Sequence, residues 1–346
     1  MNDIHFISQE KTLIDALKNI SSIGTDPLVL FVLDSNERMV GTLTDGDVRR
    51  ALIRGVNVND KICNAMHRNF NYLRKDVNDD VINIHRQREL KMKLVPVLDE
   101  QNHIVEIINL EKYRTRLPID AVLMAGGKGE RLRPLTEKTP KPLIKVGDKC
   151  IIDYNVDSLI LYGLKHISVT INYLGEQIEQ HFSVERDGVK INTVREPKYL
   201  GTIGSIKFVE TFYNDSILVM NSDLFTNIDY EDFYMHFKQH DADMSVAAVP
   251  YVVKVPYGVF NLEGRDIKGV TEKPTISYYA NAGIYLIKKE RLNLIPENEF
   301  FNATDFMDKL ITNGFKVIRY PISGYWIDIG QHDELARARE IAKHIG

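Results

Sequence analysis

Cysteine is nearly missing from this chain: Cys63 and Cys150 are the only two in 346 residues, 87 positions apart. That excludes a disulfide framework, and the spacing matches no metal motif. A reduced, cytoplasmic setting is the expectation. Long apolar runs are missing too. "PLVLFVL" (Pro27 to Leu33) is far short of a bilayer span and reads as a buried strand. The N-terminal "MNDIHFISQEKTLIDALKNI" has no signal-peptide core, so no membrane partner is expected. There is no excess of positive charge: 44 Lys and Arg stand against 48 Asp and Glu, a net charge of −4. A general affinity for nucleic acid is therefore not expected. What is present is ordinary globular composition, 44% hydrophobic and 27% charged, long enough for one large core or two smaller ones.

An internal repeat occupies the first third. "FVLDSNERMVGTLT" (Phe31 to Thr44) is similar to "PVLDEQNHIVEIIN" (Pro96 to Asn109), 65 residues later. Each copy reads as strand, polar turn, strand, and each follows a helix-like segment, "TLIDALKNI" or "DVINIHRQREL". Units this small cannot bury their apolar faces alone, so the two should pack as a pseudo-dimer.

The pair resembles tandem cystathionine-β-synthase-type (CBS) modules, a regulatory α+β fold that often binds adenine nucleotides. The resemblance covers residues 1–115. Its most specific piece is "GTLTDGDVRRAL", where Thr44 and Asp47 match the ribose- and phosphate-contacting positions. The second copy has "EIINLEKY" instead, so the resemblance implies at most one adenine-nucleotide site. The alternative is that the pair serves assembly only.

"YRTRLPID" (Tyr113 to Asp120) interrupts the pattern and reads as a domain boundary. Beyond it, "AVLMA", "HISVTIN", "VKINTV", "SILVMNSD" and "DMSVAAV" read as strands. "IIDYNVDSLILYGL" carries apolar residues at helical spacing (Ile152, Val156, Leu159, Ile160). Strands alternating with helices imply a mostly parallel, helix-covered sheet, with ligands beyond the strands' carboxyl ends.

"MAGGKGERLRPLTEKTPKP" (Met124 to Pro142) follows the first of these strands. Gly126, Gly127 and Gly129 let backbone amides approach an anion. Lys128, Arg131, Arg133, Lys138 and Lys141 add charge-assisted bonds. Glu130 and Arg131 stand where a Walker loop needs Lys and Ser or Thr, and Leu132 or Arg133 stands where a dinucleotide fingerprint needs its third glycine.

With its Gly-Gly-x-Gly-x-Arg-Leu and Thr-Pro-Lys-Pro, the loop resembles the signature of sugar-1-phosphate nucleotidyltransferases of the mannose-1-phosphate guanylyltransferase-like kind. The resemblance runs over residues 118–346 and implies a Rossmann-like mixed sheet of the GT-A type. "EPKYLGTIGSI" (Glu196 to Ile206) resembles the nucleotide-facing turn, with Ile203 where Ala is commoner. "VMNSDLF" and "YWIDIG" carry Asp223 and Asp328, which match the two metal-binding aspartates; Ser222 replaces a frequent Gly. "VPYGVF", "VTEKP" and "NAGIYLI" resemble the sugar-phosphate site.

The resemblance implies an enzyme that joins an NTP and a sugar 1-phosphate, releasing pyrophosphate, with Mg²⁺ as cofactor. Arg131, Lys141, Asp223 and Asp328 would be catalytic. Ala125, Gly126, Gly127, Gly129, Glu130, Asn172, Gly201 and Thr202 would hold the nucleotide. Tyr257, Gly258, Glu272, Lys273, Asn281 and Gly283 would hold the sugar phosphate. Trp326 reads as a packing anchor. Gly-Glu-Arg in the loop and Leu-Gly-Thr-x-Gly in the turn favour GTP over UTP, CTP or TTP, and the CBS fusion points to bacterial surface-sugar synthesis. A catalytically inactive nucleotide-binding regulator is the alternative of another class. A homo-oligomer is the expected assembly.

Overall fold

The computed structural model describes residues 3–75 and 80–344 and divides the chain into two compact units, Met1–Arg116 and Leu117–Gly346. The first unit carries the repeat as two three-stranded sheets of the same pattern. Strand β1 (Phe6–Ser8), helix α1 (Leu13–Ser22), β2 (Val29–Leu33) and β3 (Met39–Thr44) form the first, and helix α2 (Asp45–Ile53) follows. Strand β4 (Leu73–Arg74), helix α3 (Asp80–Glu89), β5 (Leu94–Leu98) and β6 (Ile104–Asn109) form the second. In each, the first pair of strands is parallel and the second antiparallel. The two hairpins meet where the Met39 amide donates to Asn102 O at 2.9 Å.

The second unit is a mixed α/β domain. Its seven-stranded sheet takes β7 (Ile119–Ala125), β10 (Ile167–Ile171), β11 (Ile191–Arg195), β12 (Ser216–Asn221), β14 (Met244–Lys254), β17 (Thr275–Lys288) and β18 (Val317–Pro321), in the order β11-β10-β7-β12-β17-β14-β18. Only β17 runs against the rest. Two short ribbons, β8 (Lys145–Val146) with β9 (Lys149–Cys150) and β13 (Leu224–Thr226) with β19 (Trp326–Asp328), stand apart from it, as does a third, β15 (Val259–Glu263) with β16 (Asp266–Thr271). Helices α4 (Ile151–Leu161), α5 (Gly175–His181), α6 (Tyr230–Gln239), α7 (Ala303–Thr312) and α8 (His332–Ala342) complete the unit. Among the described residues, no helix is long and apolar enough to cross a membrane.

The central strands read as continuous apolar runs because both faces are covered: β10 and nearly all of β7 and β12 are buried. Burial of Val122, Ile217, Val219, Tyr285 and Phe306 in one cluster supplies the main hydrophobic stabilisation, about 1.5–3 kcal/mol for each large side chain taken from water. Ile203, which stands in Glu196–Ile206 where Ala was the commoner residue, is fully buried in this cluster. Ser222, the other departure, donates from Oγ to Met124 O at 2.8 Å and so ties the end of β12 to the end of β7.

Candidate active site

The carboxyl ends of β7, β10 and β12 open on one cleft of about 680 Å³. The glycine loop forms one wall. Gly129, at φ +63°, adopts a left-handed conformation that starts the turn Glu130–Leu132. Its carbonyl accepts from Thr136 Oγ1 at 2.9 Å, and a Cβ there would stand 3.1 Å from the Lys141 side chain. The loop is thereby folded back so that Lys141, only 9% exposed, points into the cleft.

Two carboxylates meet Lys141. Its ammonium pairs with Asp223 Oδ2 and stands 3.8 Å from Asp328 Oδ1. The two aspartates are far apart in sequence, and the β13–β19 ribbon joins them by setting Leu224 opposite Asp328. The Ile329 amide donates to Asp223 O at 3.1 Å, which locks the ribbon's end. Asp223 Oδ1 is buried with no hydrogen-bond partner. Burial, and then the charge of Asp223, pushes the Asp328 carboxyl above its ordinary value, against the pull of Lys141 and Arg131. Arg131 lies over Gly330, where a Cβ would stand 3.1 Å from its Nη2. Two carboxylates sharing one ammonium, with a spare buried oxygen, form a donor set that suits a hard divalent cation.

A second wall is the turn around Gly201 and Thr202. Gly201, at φ +79°, lies so close to Phe301 that a Cβ would stand 2.6 Å from its carbonyl oxygen. Thr202 Oγ1 accepts from the Ala303 amide at 2.9 Å and so fastens the turn to the start of α7. Ala125, Gly126, Gly127, Glu130, Arg131, Asn172, Gly201 and Thr202 all line the cleft, together with Lys141, Asp223 and Asp328.

One lining residue missing from the expected set is Glu196. Its Oε2 accepts from the Leu200 amide at 3.1 Å, and its Oε1 occupies the space a Gly126 Cβ would need. Burial raises its pKa to about 7, although the Leu200 hydrogen bond pulls the other way. Glu196 opens the stretch "EPKYLGTIGSI", so an acid beside a nucleotide turn was the available signal. Its burial against Gly126, 70 positions away, is not a local property.

The expected sugar-phosphate residues do not line this cleft. Tyr257, Gly258, Glu272 and Lys273 lie on the exposed segment that carries β15 and β16. There Glu272 folds against Gly258, where a Cβ would stand 2.9 Å from its Oε2. Asn281 spends its amide inside β17: Oδ1 accepts from the Gly283 amide and Nδ2 donates to the Tyr285 hydroxyl, both at 2.9 Å. Gly283, at φ +71°, packs on Asn221, which does line the cleft. Trp326 Nε1 donates to Ala282 O at 2.9 Å. In the first unit, Thr44 and Asp47 form the capping box of α2, and Asp47 also pairs with Arg50. Although burial opposes it, hydrogen bonds from Thr44 and Arg50 hold the Asp47 carboxyl below its ordinary value.

A second cluster, away from the cleft, brings Cys150, Asp153 and His181 within 4.8 Å of one another. Asp153 Oδ1 already accepts from Arg186 at 2.7 Å and lies 2.7 Å from His181 Nε2, while Oδ2 accepts from the Cys150 amide at 3.1 Å. The carboxylate is satisfied by the protein itself.

Comparison with known proteins bears on the second unit. A Sulfolobus acidocaldarius protein, provisionally named mannose-1-phosphate guanyltransferase, is 31% identical over 216 residues, covering 61% of this chain and 60% of the relative. The mannose-1-phosphate guanylyltransferase catalytic subunit beta of Danio rerio is 29% identical over 220 residues, covering 61% of each. The chain thus spans about three fifths of the length of the curated relatives it matches. A solved structure from Bacillus anthracis, provisionally named glucose-1-phosphate thymidylyltransferase and bound to sucrose, superposes with a TM-score of 0.53 at 27% identity. That match covers 66% of this chain and 96% of the other. HddC from Yersinia pseudotuberculosis, at 24% identity and a TM-score of 0.50, shares the fold. The nucleotidyl transferase family description matches residues 120–344, a span that takes in the glycine loop, both aspartates and all but the first residue of the sheet, and the chain belongs to that family.

Proposed function

We propose that the second unit transfers a guanylyl group from GTP to a sugar 1-phosphate, releasing pyrophosphate. The carrying observation is the arrangement of Lys141 between Asp223 and Asp328 at the foot of a glycine loop, with one buried Asp223 oxygen unused. In this reading the glycine-loop amides and Arg131 hold the β and γ phosphates of the leaving pyrophosphate. Lys141 neutralises charge at the phosphorus under attack, and Asp223 and Asp328 would hold Mg²⁺. When bound, that ion screens the repulsion between the two anionic substrates and stabilises charge as the new bond forms. The attacking sugar-phosphate oxygen is already an anion near neutral pH, so no general base is required. The chain's contribution is orientation and electrostatics.

Guanine is favoured by Glu196. A carboxylate can accept from both N1–H and the exocyclic amine of guanine, whereas uracil and thymine offer one donor beside an acceptor. The sugar phosphate would be held by Tyr257, Gly258, Glu272 and Lys273 on the segment that carries β15 and β16, since Asn281 and the Gly283 amide already satisfy one another inside β17. The product is an activated sugar, and bacterial surface-sugar synthesis is the role that fits the fused first unit. The reading is tested by pyrophosphate release across four nucleoside triphosphates and a panel of sugar 1-phosphates with Mg²⁺.

We also propose that the first unit is a regulatory CBS pair that takes an adenine nucleotide near Thr44 and Asp47. Its two sheets of like pattern support this reading. Titrating AMP, ADP and ATP against turnover of the intact chain tests it. A response lost in Asp47→Ala supports the site; turnover unmoved by all three nucleotides rejects it.

A further inference from the structure

Helix α4 turns a stripe of apolar side chains inward. Ile151, Ile152, Val156, Leu159 and Ile160 are all buried, as their helical spacing requires. One member of the stripe is polar. Asn155 stands between Ile151 and Leu159 at steps of four and is only 2% exposed. A buried carboxamide destabilises a fold unless its hydrogen bonds are made, so their destination matters.

The Asn155 amide reaches the turn that carries Asp223. Its Nδ2 donates to Leu224 O at 2.9 Å and, through a longer bond, to Ser222 O at 3.4 Å. These are the carbonyls on either side of Asp223, whose own carbonyl takes the Ile329 amide at 3.1 Å. Ser222 and Asp223 lie between the end of β12 and the start of β13, outside both strands. The shape of that turn is therefore set by a side chain from α4 and by the backbone behind Asp328. Leu224 is also the residue that the ribbon sets opposite Asp328. The Tyr154 ring meets Phe225 edge-on, with centroids 5.0 Å apart, and braces the same segment. Helix α4 holds the Lys141 side as well. The Ile151 amide donates to Ile144 O at 3.0 Å, and the Tyr154 hydroxyl donates to Val146 O at 2.6 Å. The chain leaving Lys141 and the turn bearing Asp223 are thus both referenced to the start of one helix.

We propose that Asn155 is a positioning residue for the aspartate pair. Its carboxamide fixes the Ser222–Leu224 turn so that one Asp223 oxygen faces Lys141 while the other stays open to a cation. An aspartate side chain is short, so a shift of its backbone carries the carboxylate with it. A displacement of about 1 Å is enough to spoil such a site. The residue type fits the task. Leucine would fill a similar volume without a donor, and aspartate would set an anion against two carbonyl oxygens. This role rests on the reading of Asp223 and Asp328 as cation ligands and names what orients them.

Mn²⁺ alone is the probe, titrated into the intact chain and followed by electron paramagnetic resonance. Wild type should take up Mn²⁺, and Asp223→Asn should abolish the uptake. Asn155→Leu should raise the Mn²⁺ dissociation constant by about tenfold or more, with a cooperative thermal transition retained. The same variant should lower kcat for pyrophosphate release by a similar factor and leave KM for GTP within about twofold. Leu159→Ala, on the same buried stripe, should lower the thermal transition and leave Mn²⁺ affinity alone. If Asn155→Leu does not fold, Asn155→Ser serves, since its hydroxyl falls short of the Leu224 carbonyl. Mn²⁺ affinity and kcat at the wild-type level in a folded Asn155 variant would overturn the positioning role. So would an affinity loss that Leu159→Ala shares, because Asn155 would then act through packing alone. A failure of the guanylyl-transfer reading looks different: no pyrophosphate from any substrate pair, yet Mn²⁺ affinity still falling from wild type to Asn155→Leu, which supports the positioning role. A wild-type chain that takes up no Mn²⁺ would overturn the positioning role and the cation reading together.

Discussion

Asp223→Asn is expected to lower the rate of pyrophosphate release by about 10²–10³-fold or more while the fold survives. The side chain faces Lys141 on one oxygen and leaves the other buried and unpartnered. The substitution keeps the volume and removes the charge. It takes away half of the anionic pair that would hold the cation, and it leaves the Lys141 ammonium without its nearest counter-ion. Asp328→Asn should act in the same direction, because its carboxyl is pressed upward by burial and by Asp223 and shares the same ammonium. Steady-state kinetics with saturating Mg²⁺ read both variants, and circular dichroism checks the fold. Turnover within a few-fold of wild type in Asp223→Asn would remove the aspartate pair from the chemistry.

The second large effect concerns the base. Glu196→Gln should shift the ratio of kcat/KM for GTP over UTP towards UTP by about 10²-fold, because a carboxamide offers one donor and one acceptor where the carboxylate offers two acceptors. The pH dependence has a definite sign. Burial sets the Glu196 pKa at about 7, so the charged form that accepts both guanine N–H groups grows as pH rises through 7. KM for GTP should therefore fall between about pH 6 and 8, by up to about tenfold for one titrating group in that range. Glu196→Gln should flatten that trend. A KM for GTP that rises with pH, or a base preference untouched by the substitution, would take Glu196 out of base recognition.

Much of the second unit was legible in the sequence because its signals are local. "AVLMA", "HISVTIN", "VKINTV", "SILVMNSD" and "DMSVAAV" lie on β7, β10, β11, β12 and β14, and "IIDYNVDSLILYGL" contains α4. Runs of apolar residues mark strands buried on both faces, and the glycine loop is marked by residues that few other structures require. The reversed strand β17 and the β13–β19 ribbon are products of long-range pairing. No spacing rule places Leu224 beside Asp328.

The remaining gaps have equally physical causes. The pKa of Glu196 is created by burial against a backbone 70 positions away. Asn281 carries a polar amide that sequence assigns to a ligand, yet both ends of that amide find partners within four residues. Phe260, Leu262, Ile267 and Val270 are each more than half exposed on the β15–β16 ribbon, a placement that no local spacing in the sequence separates from that of a core-facing strand. Cys150 seemed isolated in sequence, and folding brings it to Asp153 and His181 in a cluster already satisfied by Arg186.

The most direct measurement is pyrophosphate release by the intact chain over GTP, UTP, CTP and TTP, each paired with a panel of sugar 1-phosphates in the presence of Mg²⁺. The account predicts release that requires both a nucleoside triphosphate and a sugar 1-phosphate, is highest with GTP, and disappears in Asp223→Asn. Absence of pyrophosphate with every pair, in protein that still binds GTP, would contradict it and identify the cleft as a nucleotide-binding site without transferase chemistry.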